Sequence, residues 1–479
     1  MQEMIAATSA VAGAGTTAAW GVENESKEKL SSSPNEKLGI AIVGVNGRGR
    51  SHIDAFLNRQ DTEILYIVDA DEKVGRDRAA GVAKKQGRAP KFVQDMREAM
   101  ADKSVDVVTT ATPNHWHALV AIWAMQHGKD VYVEKPVSHN VSEGRRIVET
   151  ARKYNKICQT GTQSRSTTGM QDMVQYLRDG KIGQVKVARG LCYKRRVSIG
   201  PKGHYPVPVE VNYDLWSGPA PLAELTRPKF HYDWHMQFLY GNGDLGNQGI
   251  HQMDIARWGL GVNQLCNGVF AYGGRLGYED AGDAANTQVV VHDYGDKSLV
   301  FEVRGLETGD YKGAKVGNIF EGTDGYVMMS SYEAGAAFDK DGNQVAKFKG
   351  GGDHFGNFIA AVRSRKIQDL NADILEGHLS SALCHLGNIS YRLGSQVSVS
   401  AARDRVKDIK TQDNAVDTFN RMAQHLENNK LDLDKIQLVL GPALTLDPGK
   451  ESFVDNSAAD ALLTRQYRAP FVVPAAGAV

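Results

Sequence analysis

The chain first offers chemistry at a glycine-rich turn. Gly44-Val-Asn46-Gly47-Arg48-Gly49 follows a short apolar run and precedes a stretch with helical periodicity. A strand that turns on glycines into a helix leaves backbone N–H groups facing outward at the positive helix end, where a pyrophosphate binds. Asn46 stands where the second glycine of G-x-G-x-x-G is usual, and asparagine tolerates left-handed backbone better than most residues. Asp69 ends the next apolar run, about 25 residues after Gly44 and near the ~20 at which a carboxylate meets ribose hydroxyls. A carboxylate there repels a 2′-phosphate, which favours NAD over NADP. Thr112-Pro113-Asn114, with His117 close behind, follows a later apolar run, and Glu134-Lys135-Pro136 the one after. Hydride transfer from an alcohol needs the hydroxyl proton removed and the developing oxyanion stabilised. A lysine partly desolvated beside a cationic ring has a lowered pKa and donates to that oxygen, and this is the role expected of Lys135. Gln163 joins the expected cofactor contacts. His115-Trp-His117 has metal-binding spacing, but no acidic or cysteine partner shares the stretch, so no metal is expected.

These residues must be held at strand ends. Residues 38–43, 63–69, 91–93, 106–111, 130–134 and 157–160 read as strands. Residues 48–57, 71–86, 95–100, 114–127 and 142–154 read as the helices between them, the last opened by Ser142. That alternation predicts right-handed crossovers and a parallel sheet covered on both faces. From about residue 165 the pattern changes. Residues 185–191, 284–292 and 297–304 read as strands without intervening helices, which predicts an α+β domain on a mostly antiparallel sheet. An irregular, aromatic and proline-rich stretch spans 193–240, and 355–366 and 374–393 read as amphipathic helices that can pack back on the first domain. The expected divisions are a signal-like tail and linker at 1–37, a dinucleotide-binding domain at 38–164, a substrate and oligomerisation domain at 165–445, and an extended tail at 446–479.

Bulk properties narrow the function. Lysine plus arginine equals aspartate plus glutamate at 56 each, so no global field attracts nucleic acid or an anionic membrane. No apolar run approaches the ~20 residues of a membrane helix. Cys158, Cys192, Cys266 and Cys384 form no C-x-x-C pair, which argues against a disulfide framework or structural zinc. Residues 4–20 are small and apolar and resemble the end of an export signal, with alanine-rich cleavage options around 17–19, but no basic segment precedes them. Export to the periplasm and a cytoplasmic location both stand as expectations.

Taken together, Gly-x-Asn-Gly-x-Gly at 44–49, Thr-Pro-Asn-His at 112–115, Gly128-Lys129 and Glu134-Lys135-Pro136 resemble the glucose–fructose oxidoreductase, inositol dehydrogenase and rhizopine-catabolism (Gfo/Idh/MocA) family. Trp216-Ser-Gly-Pro-Ala-Pro221, the run 241–254 and His354-Phe-Gly-Asn-Phe358 are similar to a bacterial subgroup that often carries export signals. The resemblance covers roughly 38–474 and implies an α/β protein. Its Rossmann domain would be followed by an α/β domain with a large open, mostly antiparallel sheet that often forms the oligomer interface, here of a homodimer or homotetramer. It implies that Lys135 polarises a substrate hydroxyl and that His251 accepts the proton. Many family members carry aspartate four residues before this histidine; here the position is Asn247, which can orient His251 but cannot stabilise its cation as a carboxylate would. Asp254, three residues after His251 on the same helical face, is the alternative partner. Arg165, Tyr193, Lys194, Arg195, His231, Trp234 and His235 mix aromatic faces with donors, as sugar sites do. Arg165 and Tyr193 lead that set, and His235, Asn247, His251 and Asp254 complete the expected substrate contacts.

Two enzymatic readings follow. One is an NAD-dependent oxidoreductase acting on a hydroxyl of a sugar, sugar derivative or cyclitol. The other is a glycosidase that holds NAD, oxidises a sugar hydroxyl transiently, loses the glycosidic bond by elimination and then restores the cofactor. A non-catalytic sensor that kept the fold is the third, and the presence of Lys135 and His251 argues against it.

Overall fold

The computed structural model describes residues 36–479. The signal-like stretch and the expectation of export built on it lie outside the described residues.

The first domain alternates strand and helix: β1 (Leu38–Val43), α1 (Gly49–Leu57), β2 (Thr62–Val68), α2 (Glu72–Gln86), β3 (Lys91–Val93), α3 (Met96–Ala101), β4 (Val107–Thr110), α4 (Asn114–Gln126), β5 (Asp130–Val133), α5 (Val141–Lys153) and β6 (Cys158–Thr160). The strands pair in the order β3-β2-β1-β4-β5-β6, all parallel. The order reverses between β1 and β4, so ligands belong in the crevice at the carboxyl ends of those two strands. β1 is an unbroken apolar run because helices cover both faces of the sheet. Asp71 caps α2 by accepting the Val74 N–H, and Gly87 ends that helix at φ 80°. α5 starts earlier than the serine predicts. Asn140 accepts the Glu143 N–H at 2.9 Å and donates back to its carboxylate at 2.9 Å, a reciprocal cap that leaves Ser142 inside the helix.

The second domain begins with α6 (Thr168–Arg178) and β7 (Val185–Tyr193), followed by α7 (Tyr213–Ser217), α8 (Gly243–Asn247) and α9 (Gly249–Leu260). Strands then dominate: β8 (Gly268–Gly274), β9 (Thr287–Asp293), β10 (Ser298–Arg304), β11 (Val316–Gly322), β12 (Gly325–Met329), β13 (Ala334–Asp339) and β14 (Gln344–Lys349). The chain closes with α10 (His354–Ser364), α11 (Ile374–Arg392), β15 (Ser395–Ser398), α12 (Val399–Val406), α13 (Ala415–Asn428), β16 (Gln437–Leu440), β17 (Leu444–Asp447), β18 (Ser452–Phe453) and α14 (Ser457–Asp460). The large sheet runs β14-β13-β12-β11-β7-β10-β9-β8-β16-β15, and its only parallel pair among the described residues is β7 with β10. α9 and α11 cover one face, where Phe301, Phe320 and Leu383 are fully buried. α12 and α13 cover part of the other, with Phe419, Met422 and Leu426 against Val187, Tyr272 and Val300.

α10 and α11 return to the first domain. Phe358 sets its ring edge-on to Tyr132 of β5 at 5.7 Å, and Gln159 of β6 donates to the His354 carbonyl at 2.9 Å. The final residues also lie on the first domain, where Phe471 packs on Trp116 of α4 at 5.4 Å. No described helix is long and apolar enough to cross a membrane.

Candidate active site

A cavity of about 590 Å³ follows the carboxyl edge of the parallel sheet and is walled on its far side by the second domain. Gly44 ends β1 at φ 81°, and a Cβ there would stand 2.7 Å from the Thr112 backbone nitrogen, so the turn can pass the β4 loop only as glycine. Asn46, Gly47 and Arg48 face the cavity with Gly44, and nothing lies within 4 Å of the position a Gly47 Cβ would take. Gly49 does not reach the cavity. It packs behind the turn against the Gly44 carbonyl, so its expected contact is corrected to close packing.

Asp69 lines the cavity at the end of β2. Its carboxylate accepts the Val45 N–H at 2.8 Å and the Asp71 N–H at 3.0 Å. Burial raises its pKa, and these two N–H groups offset part of the rise. Each oxygen keeps a lone pair, the acceptor geometry a ribose diol needs. Thr112, Pro113 and Asn114 line the same edge, and Asn114 Oδ1 is buried with no partner. An open turn of backbone N–H groups, a carboxylate with spare acceptor capacity and an unpartnered amide oxygen fit a dinucleotide. His117 also faces the cavity, but its ring spans two loops, 2.6 Å from the Pro136 carbonyl and 2.8 Å from that of Thr112.

Glu134 is the buried hub. Its Oε1 receives Arg48 Nε at 2.8 Å and Gln163 Nε2 at 3.2 Å, and lies 3.3 Å from His52 Nε2. Burial would raise its pKa, but His52, Arg48 and Lys135 outweigh that and hold it well below the ordinary value. Gly161 backs onto it, where a Cβ would meet Glu134 Cδ at 2.8 Å.

Lys135 follows at once, ahead of a cis bond to Pro136, and its Nζ donates to the Asn247 carbonyl at 3.0 Å. Burial lowers its pKa, Glu134 pulls the other way, and Arg48, Lys194 and Arg196 lower it further. His251 opens on the cavity from α9, which starts directly after α8. Burial and then Lys135 depress its pKa well below 6.5, so the imidazole is neutral at neutral pH. The site thus pairs a cationic donor, fixed by a backbone carbonyl, with a neutral ring able to take a proton. Asn247 and Gln248 stand beside them, with Lys194 donating to Gln248 Oε1 at 2.9 Å.

Four expected substrate contacts lie elsewhere. Arg165 donates to both oxygens of Asp254, at 2.8 and 2.9 Å, and Ser380 Oγ adds a bond to Asp254 at 2.7 Å. This buried network ties the turn after β6 to α9 and α11, so Asp254 is not the partner of His251. Tyr193 donates to Glu302 at 2.7 Å within the large sheet, and His235 is buried with Nδ1 against the Tyr232 carbonyl at 2.6 Å. Arg165, Asp254 and Tyr193 are buried with partners inside the protein, and His235, whose Nε2 has none, is buried off the cavity wall. The structure adds residues that sequence reasoning missed. Tyr332 and Glu333 reach the cavity from the turn between β12 and β13, and the Tyr332 ring lies 5.0 Å from that of His251. Ser-Ser-Tyr-Glu reads as a solvated turn, and only the sheet brings it there. His52 contacts Glu134, and the Tyr132 hydroxyl accepts from the Gln163 amide that also reaches Glu134, both from positions that periodicity assigns to the core.

Comparison with known proteins agrees with this architecture. A family model described as an oxidoreductase family, NAD-binding Rossmann fold, matches residues 38–162, and one described as the C-terminal alpha/beta domain of an oxidoreductase family matches 194–426. A glycosyl hydrolase family 109 protein of Shewanella sp. (strain W3-18-1) is 34% identical over 124 residues, 25% of this chain and 27% of the relative. An alpha-N-acetylgalactosaminidase of Shewanella oneidensis is 34% identical over 128 residues, 26% of this chain and 28% of the relative. The chain therefore matches little more than a quarter of the length of these curated relatives. Among solved structures, the WlbA dehydrogenase of Chromobacterium violaceum, in complex with NADH and UDP-GlcNAcA, superposes with a TM-score of 0.56 at 18% identity, covering 75% of this chain and 95% of that one. The Bordetella pertussis WlbA dehydrogenase gives a TM-score of 0.53 at 19% identity, over 72% and 94%.

Proposed function

The chain belongs to the Gfo/Idh/MocA oxidoreductase family, its first domain is that family's NAD-binding Rossmann domain, and on this premise we propose that it oxidises or reduces a hydroxyl of a sugar, sugar derivative or cyclitol. The observation that carries the reading is that Lys135 and His251, from different domains, front one cavity with the glycine-rich turn. When bound, NAD supplies the two-electron acceptor. The chain does the rest. Asn46, Gly47 and Asn114 offer polar groups to the dinucleotide, and Asp69 accepts from ribose hydroxyls and disfavours a 2′-phosphate. Lys135 Nζ, already held by the Asn247 carbonyl, keeps two N–H donors for the substrate oxygen. Neutral His251 takes the hydroxyl proton, and the nearby ammonium stabilises the oxygen as charge grows on it. Asn247 leaves the resulting imidazolium without a carboxylate in the usual place, and the charge of Glu134 favours it instead.

The family 109 relatives favour a second reading, cleavage of a glycoside through transient oxidation with the cofactor restored within each turnover. A panel of free sugars, cyclitols and aryl N-acetylhexosaminides separates the two. Net NADH absorbance with a free sugar supports the dehydrogenase, and glycoside cleavage without it supports the hydrolase. No reaction in either arm, with NAD bound, contradicts both.

A further inference from the structure

The chain between β7 and α8 leaves its own domain and settles on the other. At the β2–α2 turn, Glu72 N–H donates to the Glu210 carbonyl and Asn212 N–H to the Ala70 carbonyl, both at 2.9 Å. His231 Nε2 stands 3.0 Å from Asp71 Oδ2. On the opposite side, Trp116 Nε1 of α4 donates to the Leu215 carbonyl at 3.0 Å, and His115 Nε2 lies 2.9 Å from the Trp216 carbonyl. The segment therefore bridges the cleft from the β2 side to the α4 side.

It is a packed body of its own. Val211, Trp216, Leu225, Phe230 and Tyr240 form a separate apolar cluster, and the Arg227 guanidinium lies over the rings of Trp216, Phe230 and Tyr240 at 5.5, 5.7 and 5.5 Å. Tyr232 holds φ 70°, a left-handed conformation that bulky residues rarely adopt. It is over-determined there. Arg196 donates to the Tyr232 hydroxyl at 3.0 Å while gripping Asp244 of α8 at 2.7 and 2.8 Å, and His235 holds the Tyr232 carbonyl. The residues so fixed, Leu215, Trp216, His231, Tyr232 and Trp234, share one cavity with Asp69.

We propose that this segment is a fixed cap over the adenosine half of the dinucleotide site and that it keeps NAD on the chain between turnovers. Asp69 marks the ribose position, and the cap places an imidazole bonded to Asp71 and two indole rings on the same cavity. Planar apolar faces suit a purine base. Release of the cofactor then requires the cap's bonds to the β2–α2 turn to open first, which makes dissociation slow whatever the affinity of the glycine-rich turn. Retention of this kind suits a reaction that restores its cofactor within each turnover. The inference rests on the NAD reading and extends it from binding to exchange.

The test follows exchange rather than activity. The full chain is loaded with deuterium-labelled NAD, chased with excess unlabelled NAD, and the retained label is read by mass spectrometry after denaturation. His231→Ala removes the bond to Asp71, and Trp234→Ala removes an indole without touching that bond, so one variant remains informative if the other does not fold. The expected result is slow exchange in the parent chain and exchange at least about tenfold faster in either folded variant. Exchange at the same rate in parent and variants overturns the cap while leaving the NAD reading intact. Failure of the parent chain to bind NAD at all sinks both.

Discussion

Two clusters built from the same residue types behave in opposite ways. Behind the large sheet, Arg189, Arg304 and Arg421 converge on Glu302 at 2.8, 3.0 and 2.9 Å, and Asp413 takes Arg189 at 2.6 Å. Cations and carboxylates satisfy one another there and pin α13 to β7 and β10. In the interdomain cavity, Arg48, His52 and Lys135 gather around the buried carboxylate of Glu134, and burial first, with neighbouring cations adding to it, depresses Lys135 and His251. A closed cluster holds a fold together. A cluster with unmatched donors and a neutral acceptor facing a cavity is fitted to a guest.

That contrast can be broken from either side. The largest expected effect is His251→Ala, which should lower turnover by about 10²–10⁴-fold with little change in melting temperature. Steady-state kinetics and thermal unfolding on one preparation check both halves. Next, Glu302→Ala should destabilise the chain by roughly 3–5 kcal/mol, because it removes the carboxylate three guanidiniums share and leaves Arg304 uncompensated, with Arg189 held only by Asp413 and Arg421 only by Asp417. Denaturant unfolding reads the loss, and turnover per folded molecule should change little. Gly161→Ala sits between the two classes. The added methyl presses on Glu134 and should cost about 1–3 kcal/mol while weakening NAD binding, measured by titration calorimetry.

The smallest effect is one of pH. His251 acts as a base only when neutral, and its pKa lies below the ordinary 6.5. On the acid side the rate should therefore hold down to about pH 6.5 and fall only below it. Lys135 must stay protonated to donate, and its pKa is lowered from 10.5, so an alkaline limb should set in below that value. An acid limb centred at or above 6.5 would show that another group carries the proton.

The cofactor side was legible because its signals are local. A glycine turn between an apolar strand and a helix, an acidic residue at the next strand end and Glu-Lys-Pro after the fifth strand each follow from spacing within βα units, and Gly44, Asp69 and Lys135 all stand on the cavity. The substrate side depends on which way side chains point in a sheet whose register the sequence does not reveal. Tyr193 ends β7 pointing at Glu302, away from the cavity, and Arg165 turns into α9. Both looked like sugar contacts for the reason they make good buried ion-pair partners. β11–β14 were not anticipated, since short alternating strands with glycines and charges carry weak periodicity, and Tyr332 was hidden with them. His231 and Trp234 read as aromatic donors in the sequence, but the attachment of His231 to the β2–α2 turn is a long-range contact that no local pattern encodes.

Lys135→Ala tests the central claim most directly, with NAD binding and substrate turnover measured on the same folded protein. The account predicts that NAD affinity changes by only a few-fold while turnover falls by orders of magnitude. Normal turnover in that variant would contradict it.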